Sequence, residues 1–156
     1  VPNSAQHLRE LRLKSGRSEG ELAAALGLTP QGYTDLEHYD SDIDSAISIQ
    51  QALELARLLG TDLAGLIEPN GEPNGKPNGK PIVPVRIGVV RAALVTQLER
   101  SPEAREVLED AIDWDLGPFL EGLPQWTTVY TLEFLRRLAT IVDIDWRRLL
   151  VGIEHP

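Results

Sequence analysis

Cysteine is absent from the 156 residues, which excludes a disulfide framework, a thiolate metal site and a thiol nucleophile. Only three histidines occur, none in an HExxH-like spacing, so no zinc site is expected and no metal or other cofactor is assigned. No apolar run approaches the length of a membrane span, and the opening VPNSAQHLRE has no apolar signal core. A soluble, cytoplasmic protein without membrane contact is the expectation. Positive charge is also scarce: 15 Lys and Arg stand against 24 Asp and Glu, for a net charge of −9. The deficit is spread along the chain, with five basic and ten acidic residues in 1–67 and eight and twelve in 82–156. Phosphate neutralisation dominates nucleic-acid affinity, so this balance disfavours tight electrostatic binding to DNA. There is no glycine-rich phosphate loop and no His beside a Ser/Asp pair. No catalytic residue is assigned, and an enzyme is not expected.

Ordinary soluble composition remains, 42% hydrophobic and 25% charged, organised as helices around one linker. Residues 68–81, EPNGEPNGKPNGKP, are three Glu/Lys-Pro-Asn-Gly repeats plus Lys80 and Pro81. Proline fixes φ and removes a donor, Asn-Gly favours turns, and no apolar side chain is present to join a core. The expected organisation is a first domain over 1–67, the linker over 68–81 and a second helical domain over 82–156. Five helices are predicted before the linker. The first covers about 4–15, with Leu8, Leu11 and also Leu13 considered for its inner face. Ser18 caps the second with Glu21 three residues on, and Thr29 caps the third ahead of Pro30. Ser48 caps the fourth, whose Ile49, Ala52, Leu55, Ala56 and Leu59 recur at helical spacing. A short fifth helix runs from Asp62 to Ile67, and HYDSDIDSA between the third and fourth is a polar loop. After the linker, helices are predicted over 87–100, after Ser101-Pro102-Glu103, and from Thr131 onward. Residues 115–121 read as one short turn broken by Gly117-Pro118.

The last segment repeats part of the first. At a constant offset of 83, Ile49, Ala52, Leu55, Ala56, Leu59, Asp62, Leu63, Leu66 and Ile67 match Leu132, Leu135, Leu138, Ala139, Val142, Asp145, Trp146, Leu149 and Leu150. A diverged second copy of the first domain over 86–151 is therefore the expectation.

Residues 18–37, SEGELAAALGLTPQGYTDLE, carry helix-turn-helix spacing: Leu22, Leu26, Leu28, Tyr33 and Leu36 are the apolar positions, Ala23 sits at the crossing and Gly27 at the turn. With LRELR before them and SIQQALELARLLG after them, residues 8–67 resemble the Xre/Cro family of helix-turn-helix repressors. The resemblance implies an all-α chain: a lambda-repressor-like five-helix domain followed by a second small helical domain. It implies a structural ion pair between Arg12 and Glu37. It also places DNA contacts at Thr29, Gln31, Thr34 and His38, with Arg9, Lys14 and Arg17 for backbone phosphates. The sequence departs from the family at Glu19, where a phosphate-binding Gln is usual, and at Pro30, where a base-reading Gln is usual. Gly32 offers no contact. In the second half the counterpart of the reading helix, DLGPFLEG, has no amide and no basic residue. The aromatics there, Trp114, Phe119 and Trp126 among them, either fill a small core or, because aromatics are enriched at interfaces, are candidates for a protein-partner surface.

The resemblance implies a homodimeric transcriptional regulator that binds an operator in double-stranded DNA, with the second domain dimerising or docking a protein partner. The alternative is a helix-turn-helix-derived interaction module that has lost DNA binding, favoured by Glu19, Pro30, Gly32 and the acidic balance. Some enzymes, such as the cyanases, carry a similar domain beside a catalytic one, but no catalytic domain is visible here.

Overall fold

The computed structural model describes residues 4–39, 45–67, 83–122 and 125–154. The linker 68–81 and part of the polar loop, 40–44, lie outside the described residues. In chain order the helices are α1 (Ser4–Ser15), α2 (Glu19–Leu26), α3 (Pro30–Leu36), α4 (Ile49–Leu58) and α5 (Leu63–Ile67) before the linker. After it come α6 (Ile87–Arg100), α7 (Glu103–Ile112), α8 (Gly117–Glu121), α9 (Trp126–Val129), α10 (Leu132–Ile141) and α11 (Trp146–Glu154). The described residues form no strand; their one β feature is an isolated antiparallel bridge between Ser48 and Thr131.

Capping side chains set the starts of α2, α3 and α4. Ser18 accepts from Glu21 N–H, Thr29 from Gly32 N–H and Ser48 from Gln51 N–H, each filling one of the donors that a helix start leaves without a partner. At α4 the box is closed, since Gln51 Oε1 accepts from Ser48 N–H at 2.9 Å. The Gln51 amide then donates to Leu26 O at 2.9 Å, tying α4 to the end of α2. On α1, Ala5 and Leu8 are buried, whereas Leu13 is 60% exposed. Five residues turn a helix by about 140° beyond a full revolution, so Leu13 cannot share the face of Leu8.

After the linker, an aromatic cluster replaces the aliphatic packing. Phe119, Trp126, Tyr130 and Phe134 are all buried, with Tyr130 stacked on Phe134 at 4.0 Å and Phe119 edge-on to Trp126 at 5.3 Å. The Tyr130 hydroxyl donates to Asp115 O at 2.7 Å and accepts from Phe119 N–H at 3.1 Å, pinning α8 in place. Gly117-Pro118, expected to break this segment, instead opens α8. Pro118 stands in its first turn, where a missing N–H costs nothing, and Asp115 Oδ1 accepts from Gly117 N–H.

The ends of α4 and α10 match in detail. Leu59 N–H reaches Leu55 O at 3.0 Å and Thr61 N–H reaches Ala56 O at 2.9 Å; 83 residues on, Val142 reaches Leu138 O at 3.0 Å and Ile144 reaches Ala139 O at 2.9 Å. Gly60 and Asp143 between them both adopt left-handed backbone, at φ 73° and 57°. The two halves also touch. Ile49 N–H donates to Tyr130 O at 2.9 Å, the Thr127 hydroxyl donates to Gln50 Oε1 at 3.4 Å, and α5 packs on α11 and α4 on α9. Buried residues from both halves belong to one continuous core.

Tyr130→Phe keeps the ring stack but leaves Asp115 O and Phe119 N–H without their partner. A loss of about 1–3 kcal/mol is expected from urea unfolding, with the helical signal of the native state unchanged.

Candidate nucleic-acid interface

Helices α2 and α3 pack directly on each other. Gly27 makes the turn at φ 71°, a left-handed conformation that L side chains avoid, and Leu28 N–H closes it on Ala23 O at 2.8 Å. Leu22, Ala23, Leu26, Tyr33 and Leu36 are buried between the helices and the rest of the domain. With Tyr33 and Leu36 turned inward, the opposite face of α3 presents Thr29, Pro30 and Gln31 as exposed residues, Thr34 and Asp35 as half-buried ones, and His38 just beyond its end.

Arg12 and Glu37, 25 residues apart, are brought together. Arg12 Nε lies 2.8 Å from Glu37 Oε2 and a terminal nitrogen lies 3.2 Å from Oε1, a two-pronged contact. Their side chains are only 13% and 4% exposed. The hydrogen bond to Glu37 raises the Arg12 pKa above the ordinary guanidinium value despite burial. Glu19 lies 3.8 Å from the same guanidinium, so its charge at the start of α2 is partly answered from within the protein. Burial first, and then the Glu37 charge, push the Tyr33 phenol far above its ordinary range.

The polar groups on the outer face of α3 are engaged with each other. The Gln31 amide donates to Asp35 Oδ1 at 2.9 Å, and the Thr34 hydroxyl donates to Pro30 O at 2.9 Å. Gln31 therefore keeps its carbonyl as an acceptor and one amide hydrogen, while the other hydrogen faces a carboxylate. Residues 31 and 35 lie one helical turn apart, which places them on one face of α3. Tyr39, which the sequence reading did not single out, is 58% exposed and stands edge-on to His38.

Arg9 and Lys14 are exposed on α1. Arg17 is drawn elsewhere: its Nε donates to Leu58 O at 3.0 Å at the end of α4, and it pairs loosely with Glu21 at 3.9 Å. The aromatic partner surface requires a correction. Phe119 is fully buried and Trp126 only 8% exposed, because the second half builds its core from these rings. Trp114 is half-buried, edge-on to Phe134 at 6.0 Å, with the Arg137 guanidinium 5.3 Å from its ring. Among the described residues, no helix is long and apolar enough to cross a membrane.

A helix-turn-helix family model, of the Xre/Cro type, matches residues 8–66. No curated protein and no solved structure matches the chain. The matched residues contain α2, the turn at Gly27 and α3, so this part of the chain is similar to helix-turn-helix domains.

Truncating one member of the buried ion pair strands the other charge. Arg12→Ala or Glu37→Ala is expected to cost about 3 kcal/mol in denaturant unfolding, and Arg12→Met combined with Glu37→Leu less than either alone. Alkaline titration should also weaken the fold. The Tyr33 pKa is higher folded than unfolded, so its contribution is complete below about pH 10 and is lost as pH rises above that, at up to roughly 1.4 kcal/mol per unit. Melting curves taken above pH 10 should show this loss, and Tyr33→Phe should reduce it.

Proposed function

We propose that the chain is a DNA-binding transcriptional regulator with few operator contacts, all made by the domain in residues 1–67. The observation that carries this reading is the outer face of α3: the second member of a complete helix-turn-helix, held by Arg12 and Glu37, with Gln31, Thr34 and His38 directed away from the core side. Thr29 contributes at the start of that helix, and Arg9 and Lys14 add phosphate contacts from α1. Arg17 contributes less, because Leu58 O and Glu21 hold it. Residues 82–156, joined through the linker 68–81, are a diverged copy that no longer reads DNA. In support, the left-handed residue and the terminal hydrogen bonds that end α4 recur at the end of α10 at the offset of 83, although Thr131 lacks the side-chain cap that Ser48 makes. The copy differs where reading would occur, because α8 is a five-residue helix, GPFLE, built into an aromatic core. The regulator acts in the cytoplasm, and this reading requires neither a cofactor nor a catalytic group.

The electrostatics set the expected strength. Two or three cations near phosphates give a shallow salt dependence, a slope in log K against log salt of about −2 to −3. Asp35 opposes binding twice, by repelling phosphate and by engaging one of the two Gln31 amide hydrogens. Fluorescence anisotropy on promoter-sized duplexes at low salt should find sequence-specific binding with that slope. Asp35→Asn should tighten binding about fivefold, roughly 1 kcal/mol, and Gln31→Ala should weaken it. Equal affinity for all duplexes, or none, would overturn the reading.

A further inference from the structure

We infer that the two halves of the chain are related by a local two-fold axis, so that one chain contains the pairing that two identical chains would otherwise make. This rests on reading residues 82–156 as a diverged copy, and it adds how the copies face each other. In a two-fold pairing like meets like, and the residue nearest the axis meets its own equivalent. Repeats stacked by translation behave differently, setting the end of one unit against the start of the next.

Ser48 and Thr131 are equivalents at the offset of 83, each the residue before a matched helix, and they are the two residues joined by the bridge. That bridge is antiparallel, the arrangement in which paired residues exchange places under a half-turn. Helices α5 and α11 are equivalents as well, and they pack on each other. The matching is not confined to the contact. Each half packs its α4-type helix on its α5-type helix, its α2-type helix on its α4-type helix, and its first helix on its last. The local axis therefore passes between Ser48 and Thr131.

The partner that fits the face formed by the start of α4 and by α5 is thus a second copy of the same module, and the chain supplies it. A homodimer through that face is excluded because the face is already covered. Only one arm of the pair carries α3; the other carries α8. One chain then reads one half-site of a duplex, and a palindromic operator confers no added recognition.

The chain has no cysteine, so a pair introduced at the bridge reports cleanly. Opposed antiparallel residues have Cα atoms about 4.5–5.5 Å apart, within disulfide range. Mild oxidation of a Ser48→Cys, Thr131→Cys double variant of the full chain should give an internal crosslink: a single-chain band on a non-reducing gel that migrates faster than the reduced form. A covalent dimer, or no crosslink in a variant with native helical content, would overturn the inference. The unmodified chain provides a second measurement that does not depend on the variant. Light scattering should give the mass of one chain, 17.2 kDa, over a wide concentration range and one chain per bound duplex. A reversible dimer, or two chains cooperating on a palindrome, would overturn it. A monomer with the internal crosslink that binds no DNA would support the two-fold pairing and overturn the DNA reading alone.

Discussion

The start of α4 is the junction on which the rest of the molecule depends. Ser48 and Gln51 satisfy each other's backbone groups there, and the same Gln51 amide fastens the end of α2. One residue on, Ile49 takes up Tyr130 O and sets α4 against the second half. A helix start leaves several donors open, and here the cap, the neighbouring helix and the second half each contribute to closing or bracing that end. The helix-turn-helix is thereby tied to the second half through that short segment, alongside the Arg12–Glu37 contact that holds α3 to α1. Its geometry depends less on α2 and α3 themselves, which have only eight and seven residues and would be marginal helices alone.

Charge is used in two opposite ways around α3. Behind the helix, a buried guanidinium–carboxylate pair holds the end of α3 to α1; such a pair adds little net stability but fixes geometry, because either charge alone would be costly. In front of it, Gln31 and Asp35 satisfy one another in a way that a bound phosphate or base edge would have to displace. The interaction behind α3 shapes the helix, while the one in front of it engages polar groups that a ligand would otherwise contact. The acidic surface, the carboxylate at position 35 and the diversion of Arg17 toward Leu58 all act in the same direction.

Much of the helical content was legible because it rests on local chemistry. Ser18, Thr29 and Ser48 announce helix starts by their own side chains, Gly27 and Gly60 announce ends, and apolar spacing marks inner faces. The readings that failed depended on three-dimensional surroundings. Phe119 and Trp126 have the composition of an interface and the location of a core, which only packing distinguishes. Gly117-Pro118 is a break inside a helix and a start at its edge, and the choice depends on where Asp115 and Tyr130 sit. Gln31 looks available for recognition until its rotamer is set by Asp35.

By itself, the sequence determined the helix-turn-helix spacing and the recurrence at an offset of 83, since each is written in residue type and spacing, while the pairing of Arg12 with Glu37 followed from the family resemblance. The tertiary structure decided what those features face. It brought Ser48 against Thr131 and α5 against α11, buried the aromatic cluster, and engaged Arg17 with Leu58 O and Gln31 with Asp35 on the surface. The physical reason is that spacing determines which residues share a face of one helix, whereas contact between faces depends on long-range packing and on satisfying buried polar groups across the whole chain.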